Sequence, residues 1–78
     1  MSYLPIMVYT QLTCQACHRL KSFLAQNHIE YTERDVTEDE EAFTELQRLG
    51  FSTTPVILIG EEILAGFDQA KLELMLSK

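Results

Sequence analysis

Cys14 and Cys17 are the two cysteines of the chain, and His18 follows them in the run TCQACHRLK, Thr13 to Lys21. Three chemistries use such a spacing. C-x-x-C-H can carry a covalent haem, a Cys, Cys, His cluster can hold zinc, and C-x-x-C at a helix start can exchange electrons with disulfides. Haem attachment fits poorly, because Met7 and Met75 read more simply as core residues than as axial ligands. Mononuclear zinc asks for four ligands. Only Cys14, Cys17, His18 and the distant His28 are on offer, and neighbours on a helix diverge by about 100°. A cluster bridged between two chains through Cys14 stays open as an iron-sulfur or metal-binding alternative.

The dithiol reading follows from position. A helix N-terminus presents unpaired N–H groups and favours an anion, and a thiolate is the anion available at Cys14. Cys17 falls one turn later, and residues at i and i+3 are close enough for a disulfide. Cys14 is therefore the expected nucleophile and Cys17 the resolving thiol. As a staple the pair is weak, since closing so short a loop is worth only roughly 2 kcal/mol.

The elements that must position this pair are legible in outline. Ile6–Tyr9 reads as a buried strand, Gln11–Thr13 as a loop with Thr13 as N-cap, and residues 14–27 as a helix. Ala16, Leu20, Phe23 and Leu24 share one apolar face, and Asn27 is the stop. Ile29–Val36 returns to strand character, with Ile29, Tyr31 and Glu33 on one side. TEDE, Thr37 to Glu40, reads as a capping box in which Thr37 caps and Glu40 reaches back. The helix that follows turns Ala42, Leu46 and Leu49 inward, with Phe43 beside them, and ends at Gly50.

Val56–Ile59, VILI, is the strongest strand pattern. Ile63–Ala65 returns beside it as a hairpin, and Asp68 opens a last helix with Leu72, Met75 and Leu76 on one stripe. The order is β-α-β-α-β-β-α, which predicts an α/β fold with a mixed four-stranded sheet flanked by three helices. With 78 residues, one domain spanning 1–78 is expected.

Bulk properties exclude some functions. The net charge is −6, with Glu38, Asp39, Glu40, Glu41 and Glu45 clustered mid-chain, so a nucleic-acid surface is not expected. No apolar run approaches 18 residues, so no membrane span is expected. The opening MSYLPIMVYT has neither a basic n-region nor a cleavage site, and a free thiol pair without an export signal fits a cytoplasmic, reducing setting.

Taken together, a strand, TCQACHRLK, a β-α unit, TTPVILIG and AGFD resemble the glutaredoxin branch of the thioredoxin-fold family over nearly the whole chain. The resemblance implies a thioredoxin-like fold, a monomer and a dithiol–disulfide oxidoreductase with no bound cofactor. It implies that Pro55 is cis and faces the cysteines, and that the Thr54 backbone pairs with the substrate cysteine. It further implies that Gly66, Phe67 and Asp68 form the turn that holds the γ-glutamyl end of glutathione as co-substrate.

Three positions depart from that family's usual pattern. Gln15-Ala16 replaces Pro-Tyr between the cysteines, Gln11 replaces a Lys or Arg, and Ala65-Gly66 replaces two glycines. CQACH and Gly66-Phe67 are also similar to the glutaredoxin-like electron donors of ribonucleotide reductase, which thioredoxin reductase resets. The partners implied are thus a disulfide-containing protein and either glutathione or thioredoxin reductase. Phe51 and Phe67 read either as an apolar rim for a protein partner or as packing.

Overall fold

The computed structural model describes residues 5–76. The elements follow as β1 (Ile6–Thr10), α1 (Gln15–Gln26), β2 (Thr32–Asp35), α2 (Glu40–Arg48), β3 (Val56–Ile59), β4 (Glu62–Ala65) and α3 (Gln69–Leu76). The sheet order is β2-β1-β3-β4. β1 runs parallel to β2 and antiparallel to β3, and β3 pairs antiparallel with β4. This is the mixed four-stranded, three-helix thioredoxin-like fold expected from the sequence.

Both faces of the sheet are covered, which explains why the two central strands, β1 and β3, read as nearly unbroken apolar runs. Val8, Ile57, Ile59 and Leu64 pack with Leu20 and Leu24 of α1 and Leu72 of α3. Tyr9 and Val56 pack on the other face with Ala42 and Leu46 of α2. The register sets Val8 opposite Ile57 and Tyr9 opposite Val56, so successive residues of β1 feed the two cores in turn. Phe51 joins the α2-side core and Phe67 the other, so the two rings do not form one rim.

The helix starts differ from the sequence expectation at two caps, while α1 stops at Asn27 as expected. Cys14, not Thr13, is the N-cap of α1: its backbone is extended (φ −92°, ψ 109°) and its sulfur accepts the Cys17 N–H. Asp39, not Thr37, caps α2, accepting the N–H groups of Glu41 and Ala42 at 2.9 and 3.3 Å. Thr37 is taken by another task, since its Oγ1 accepts the Leu12 N–H at 3.1 Å and ties down the loop before Cys14. At the far end of α1 the chain turns at His28 (φ 57°), where Ile29 N–H returns to Leu24 O at 2.9 Å. That is the left-handed C-terminal turn usually given to glycine, and Gly50 (φ 92°) provides it for α2.

β2 is shorter than the stretch predicted for it. Only Thr32–Asp35 pairs with Met7–Thr10, while Ile29 and Tyr31 pack on the core before the strand starts. β4 gains Glu62, which pairs with Ile59. Leu49 and Phe43 are exposed rather than inward-facing, because Ala42 and Leu46 already fill the contact with the sheet.

Candidate dithiol site

The site lies where β1 gives way to α1. The β1–α1 loop brings Cys14 to the helix entry, and the Cys14 N–H is fixed on Gln11 O at 3.1 Å. The Cys14 sulfur accepts the Cys17 N–H at 3.1 Å, so a thiolate there takes the place of an N-capping oxygen. On the facing loop the Thr54–Pro55 peptide is cis. The Cys14 thiol donates to Thr54 O at 3.7 Å, a long contact that places the loop directly against the sulfur.

The two thiols are electrostatically unlike. Burial works against a Cys14 thiolate, but hydrogen bonds from the Cys17 thiol, the Thr54 side chain and the N–H groups of Cys17 and Ala16 outweigh it. The Cys14 pKa therefore lies below the ordinary thiol value. Cys17 is 1% exposed. Its desolvation, with the thiol engaged at Cys14, pushes it up to about 11. One sulfur, on a half-buried residue, is poised to ionise; the other is buried and favours its protonated form. Such a pair can attack a disulfide with the first sulfur and close with the second.

Pro55 is buried, and its carbonyl accepts the Gly66 N–H at 2.7 Å. Gly66 turns with φ 81° and leads into α3. Thus Cys14, Cys17, Thr54, Pro55 and Gly66 form one connected group. Phe67 instead sets its ring against Phe23 of α1, with centroids 6.0 Å apart at 52°. Asp68 is exposed, and its Oδ1 accepts the Lys71 N–H at 3.2 Å. Thr13 is exposed in the turn and takes no part in the cap.

His18 and His28 are exposed on α1 and just past its end. Among the described residues no group of three or more His, Cys, Asp or Glu side chains is arranged to hold a metal ion.

Two groups near the site escaped the sequence reading. The Thr54 hydroxyl donates to Gln11 Oε1 at 3.3 Å, which places a neutral pair where the loop meets the thiol. The buried Thr10 hydroxyl donates to Glu33 Oε2 at 2.8 Å, and Lys21 Nζ meets the same oxygen at 3.0 Å. Its only trace in the sequence is the placement of Lys21 one turn beyond Cys17. Burial disfavours the Glu33 carboxylate, yet the hydrogen bonds from Lys21 and Thr10 bring its pKa below the usual range. The Glu33 carboxylate in turn raises Lys21.

The cysteine pair, the cis-proline loop and the sheet order agree with the match of the glutaredoxin family model to residues 6–64. This chain belongs to the glutaredoxin family. Among curated relatives of this glutaredoxin, the gene 56 protein of Mycobacterium phage D29 is 37% identical, with 91% of this chain and 81% of that one covered. The thioredoxin-like protein BC3987 superposes with a TM-score of 0.86 at 39% identity, over 91% of this chain and 99% of the other. The glutaredoxin-like NrdH-redoxin from Escherichia coli, whose activity profile is thioredoxin-like, gives a TM-score of 0.83 at 25% identity. That match covers 91% of this glutaredoxin and 93% of NrdH-redoxin.

Proposed function

We propose that this glutaredoxin reduces disulfides of protein substrates through the Cys14–Cys17 dithiol and is reset by thioredoxin reductase in preference to glutathione. The observation that carries the dithiol reading is the asymmetry of the pair: Cys14 caps α1 with its sulfur while Cys17 lies buried and protonated beneath it.

The Cys14 thiolate attacks one sulfur of the substrate disulfide. A Cys14–substrate mixed disulfide forms and the other substrate sulfur leaves as a thiolate. As Cys14 loses its proton, Thr54 O loses its thiol donor and is free to accept a backbone N–H from the bound substrate strand. Cys17 then attacks Cys14 Sγ and loses its proton. The second substrate sulfur leaves as a thiolate, and the two thiolates take up protons. Two electrons have passed to the substrate, and the protein is left with a Cys14–Cys17 disulfide. Thr54 and Pro55 align the three sulfurs, while the N–H groups at Phe67 and Asp68 suit an anionic end of the substrate.

The preference for a flavoprotein reductase rests on Gln11. Its neutral amide is engaged with Thr54, so position 11 offers no cation to a glutathione carboxylate. The likeness to NrdH-redoxin supports the same reading. The setting proposed is the reducing cytoplasm, and among the described residues no helix is long and apolar enough to cross a membrane.

The test is to oxidise the protein mildly and count free thiols during reduction by two systems in parallel. One is NADPH with thioredoxin reductase; the other is glutathione with its own reductase. Faster recovery of both thiols in the first supports the proposal, and faster recovery in the second reverses the choice of electron donor. If mild oxidation joins no Cys14–Cys17 disulfide and neither system acts, the redox reading fails and cluster or metal binding by Cys14 replaces it.

A further inference from the structure

An open groove of about 570 Å³ lies between α1 and the start of α3, its α1 wall beginning at His18, the residue after Cys17. The tilted Phe23–Phe67 ring pair lines it, both rings half-buried. Arg19 and His18 stand on the α1 wall, and Glu73 on the α3 wall. This volume falls in the range of clefts that take a small ligand or a few side chains.

The groove is joined to the thiols through the main chain. Cys14 touches Thr54, Pro55 O accepts the Gly66 N–H, and Phe67 follows Gly66 directly. A polypeptide whose cysteine sits on Cys14 and whose backbone runs along Thr54 is therefore directed toward Phe67 within a few residues.

Charge decides what kind of side chain belongs there. The chain as a whole is at −6. Lys21 is neutralised by Glu33, and Arg34 by Glu45 and Asp39. Arg19 forms no ion pair among the described residues, is exposed, and sits on the groove two residues past Cys17. Glu73 on the α3 wall is engaged by Gln69 Nε2 at 3.4 Å, and a guanidinium without an ion-pair partner on the α1 wall, in a groove lined by two aromatic rings, suits a carboxylate beside a large apolar side chain. A partner with an acidic flank meets repulsion from the rest of this acidic surface and attraction at Arg19, which fixes its register as much as its affinity.

We infer that the Arg19–Phe23–Phe67 groove is a specificity subsite for the protein substrate, and that it accepts an acidic residue next to a large apolar one a few positions from the attacked cysteine. The inference rests on the oxidoreductase reading above and names the substrate class of that site.

The test uses the reduced protein in single turnover, so no outside reductant enters. The probes are synthetic peptides with one cysteine joined in a mixed disulfide to thionitrobenzoate. Cys14 attacks the peptide sulfur and coloured thionitrobenzoate leaves as the thiolate. Cys17 then displaces the peptide thiol and forms the Cys14–Cys17 disulfide. An Asp-Phe pair is placed two to six residues from the cysteine on either side, with Lys-Phe peptides as partners.

At one spacing the Asp-Phe peptide should react about threefold to tenfold faster than its Lys-Phe partner. Arg19→Glu should abolish or invert that ratio. Arg48→Glu, the same charge change at the end of α2 on the other face of the sheet, should preserve the ratio. Equal rates for acidic and basic peptides at every spacing would overturn the subsite. So would an equal loss in Arg19→Glu and Arg48→Glu, which would reduce the effect to net charge. If no peptide thiol is released from any probe, the oxidoreductase reading itself falls, and the subsite with it.

Discussion

The hydroxyl of Thr54 donates to the side-chain oxygen of Gln11 at 3.3 Å, across the loop pair that frames Cys14. Both groups are neutral, so the rim of the thiol carries no positive charge from this position. Replacing Gln11 by Lys adds a cation without touching the core. Gln11→Lys should speed reset by glutathione by about threefold to tenfold, while reset by thioredoxin reductase changes little. The comparison is read from NADPH consumption in the two coupled systems. The gain should shrink as salt rises from 0.05 to about 0.5 M, because the pair is solvent-exposed. Equal effects on both reset routes would show that Gln11 does not select the electron donor.

The two thiols should alkylate in separate pH ranges. The Cys14 pKa is lowered from the ordinary thiol value, burial being outweighed by hydrogen bonds from Cys17 and Thr54. Cys17, desolvated and engaged at Cys14, lies near about 11. Iodoacetamide at pH 7 should therefore label Cys14 alone in the reduced protein. The pH–rate curve should have a midpoint below that of a free cysteine peptide. In Cys17→Ala the thiol hydrogen bond to Cys14 is gone, so the midpoint should move upward. A midpoint that moves down, or stays put, would show that the Cys17 side chain does not stabilise the thiolate.

Asp39 and Thr37 separate in a stability experiment. Asp39 accepts two N–H groups at the start of α2, whereas Thr37 accepts only the Leu12 N–H in the loop before the thiols. Asp39→Ala should cost about 1 kcal/mol in urea unfolding, the usual loss for a deleted N-cap. Thr37→Val should cost less in unfolding. Its mark should instead be faster amide exchange at Leu12, with an altered Cys14 alkylation rate. If Thr37→Val destabilises the fold as much as Asp39→Ala, the cap assignment made above is wrong.

The Thr10–Glu33–Lys21 cluster gives the fold a pH signature. The Glu33 pKa is lowered in the folded state, its desolvation outweighed by the Lys21 and Thr10 hydrogen bonds. Its contribution to stability is thus present above the unfolded carboxyl value of about 4.3 and is lost as pH falls through the folded value. The Lys21 pKa is raised, mainly by its bond to Glu33. That contribution is full below the unfolded value of about 10.4 and fades as pH rises through the folded one. Glu33→Gln should flatten both limbs of the stability–pH curve measured by urea titration. Limbs as steep as in the parent chain would assign the pH dependence to other groups.

Much of this was legible because local pattern and tertiary role coincide. The apolar run VILI is a central strand covered on both faces, and Cys14 and Cys17 fall on either side of a helix start. Where a residue's partner is distant in sequence, pattern misleads. Thr13 and Thr37 both have the chemistry of N-caps, yet Cys14 has the extended backbone at one helix and Asp39 at the other, while Thr37 is drawn off to Leu12. The apolar side chains of Ile29 and Tyr31 suggested where β2 begins, but backbone register with β1 decides it, and the paired residues are the polar Thr32–Asp35. Leu49 looked inward by periodicity and is exposed, because α2 is short enough for Ala42 and Leu46 to complete its contact. At the site, the Gln11–Thr54 pair joins residues 43 positions apart, a separation that no local motif can announce.

The bond from Gly66 N–H to Pro55 O joins the two loops that enclose the thiols, and it is made entirely of main chain. At Gly66 nothing lies within 4 Å of where a methyl group would stand, so the backbone angle of 81° and not space reserves the position for glycine. Phe67 and Asp68 contribute no side-chain atom to that bond. The spacing of the two loops is thus written into the backbone: a substitution at either side chain leaves the donor and the acceptor of the bond in place.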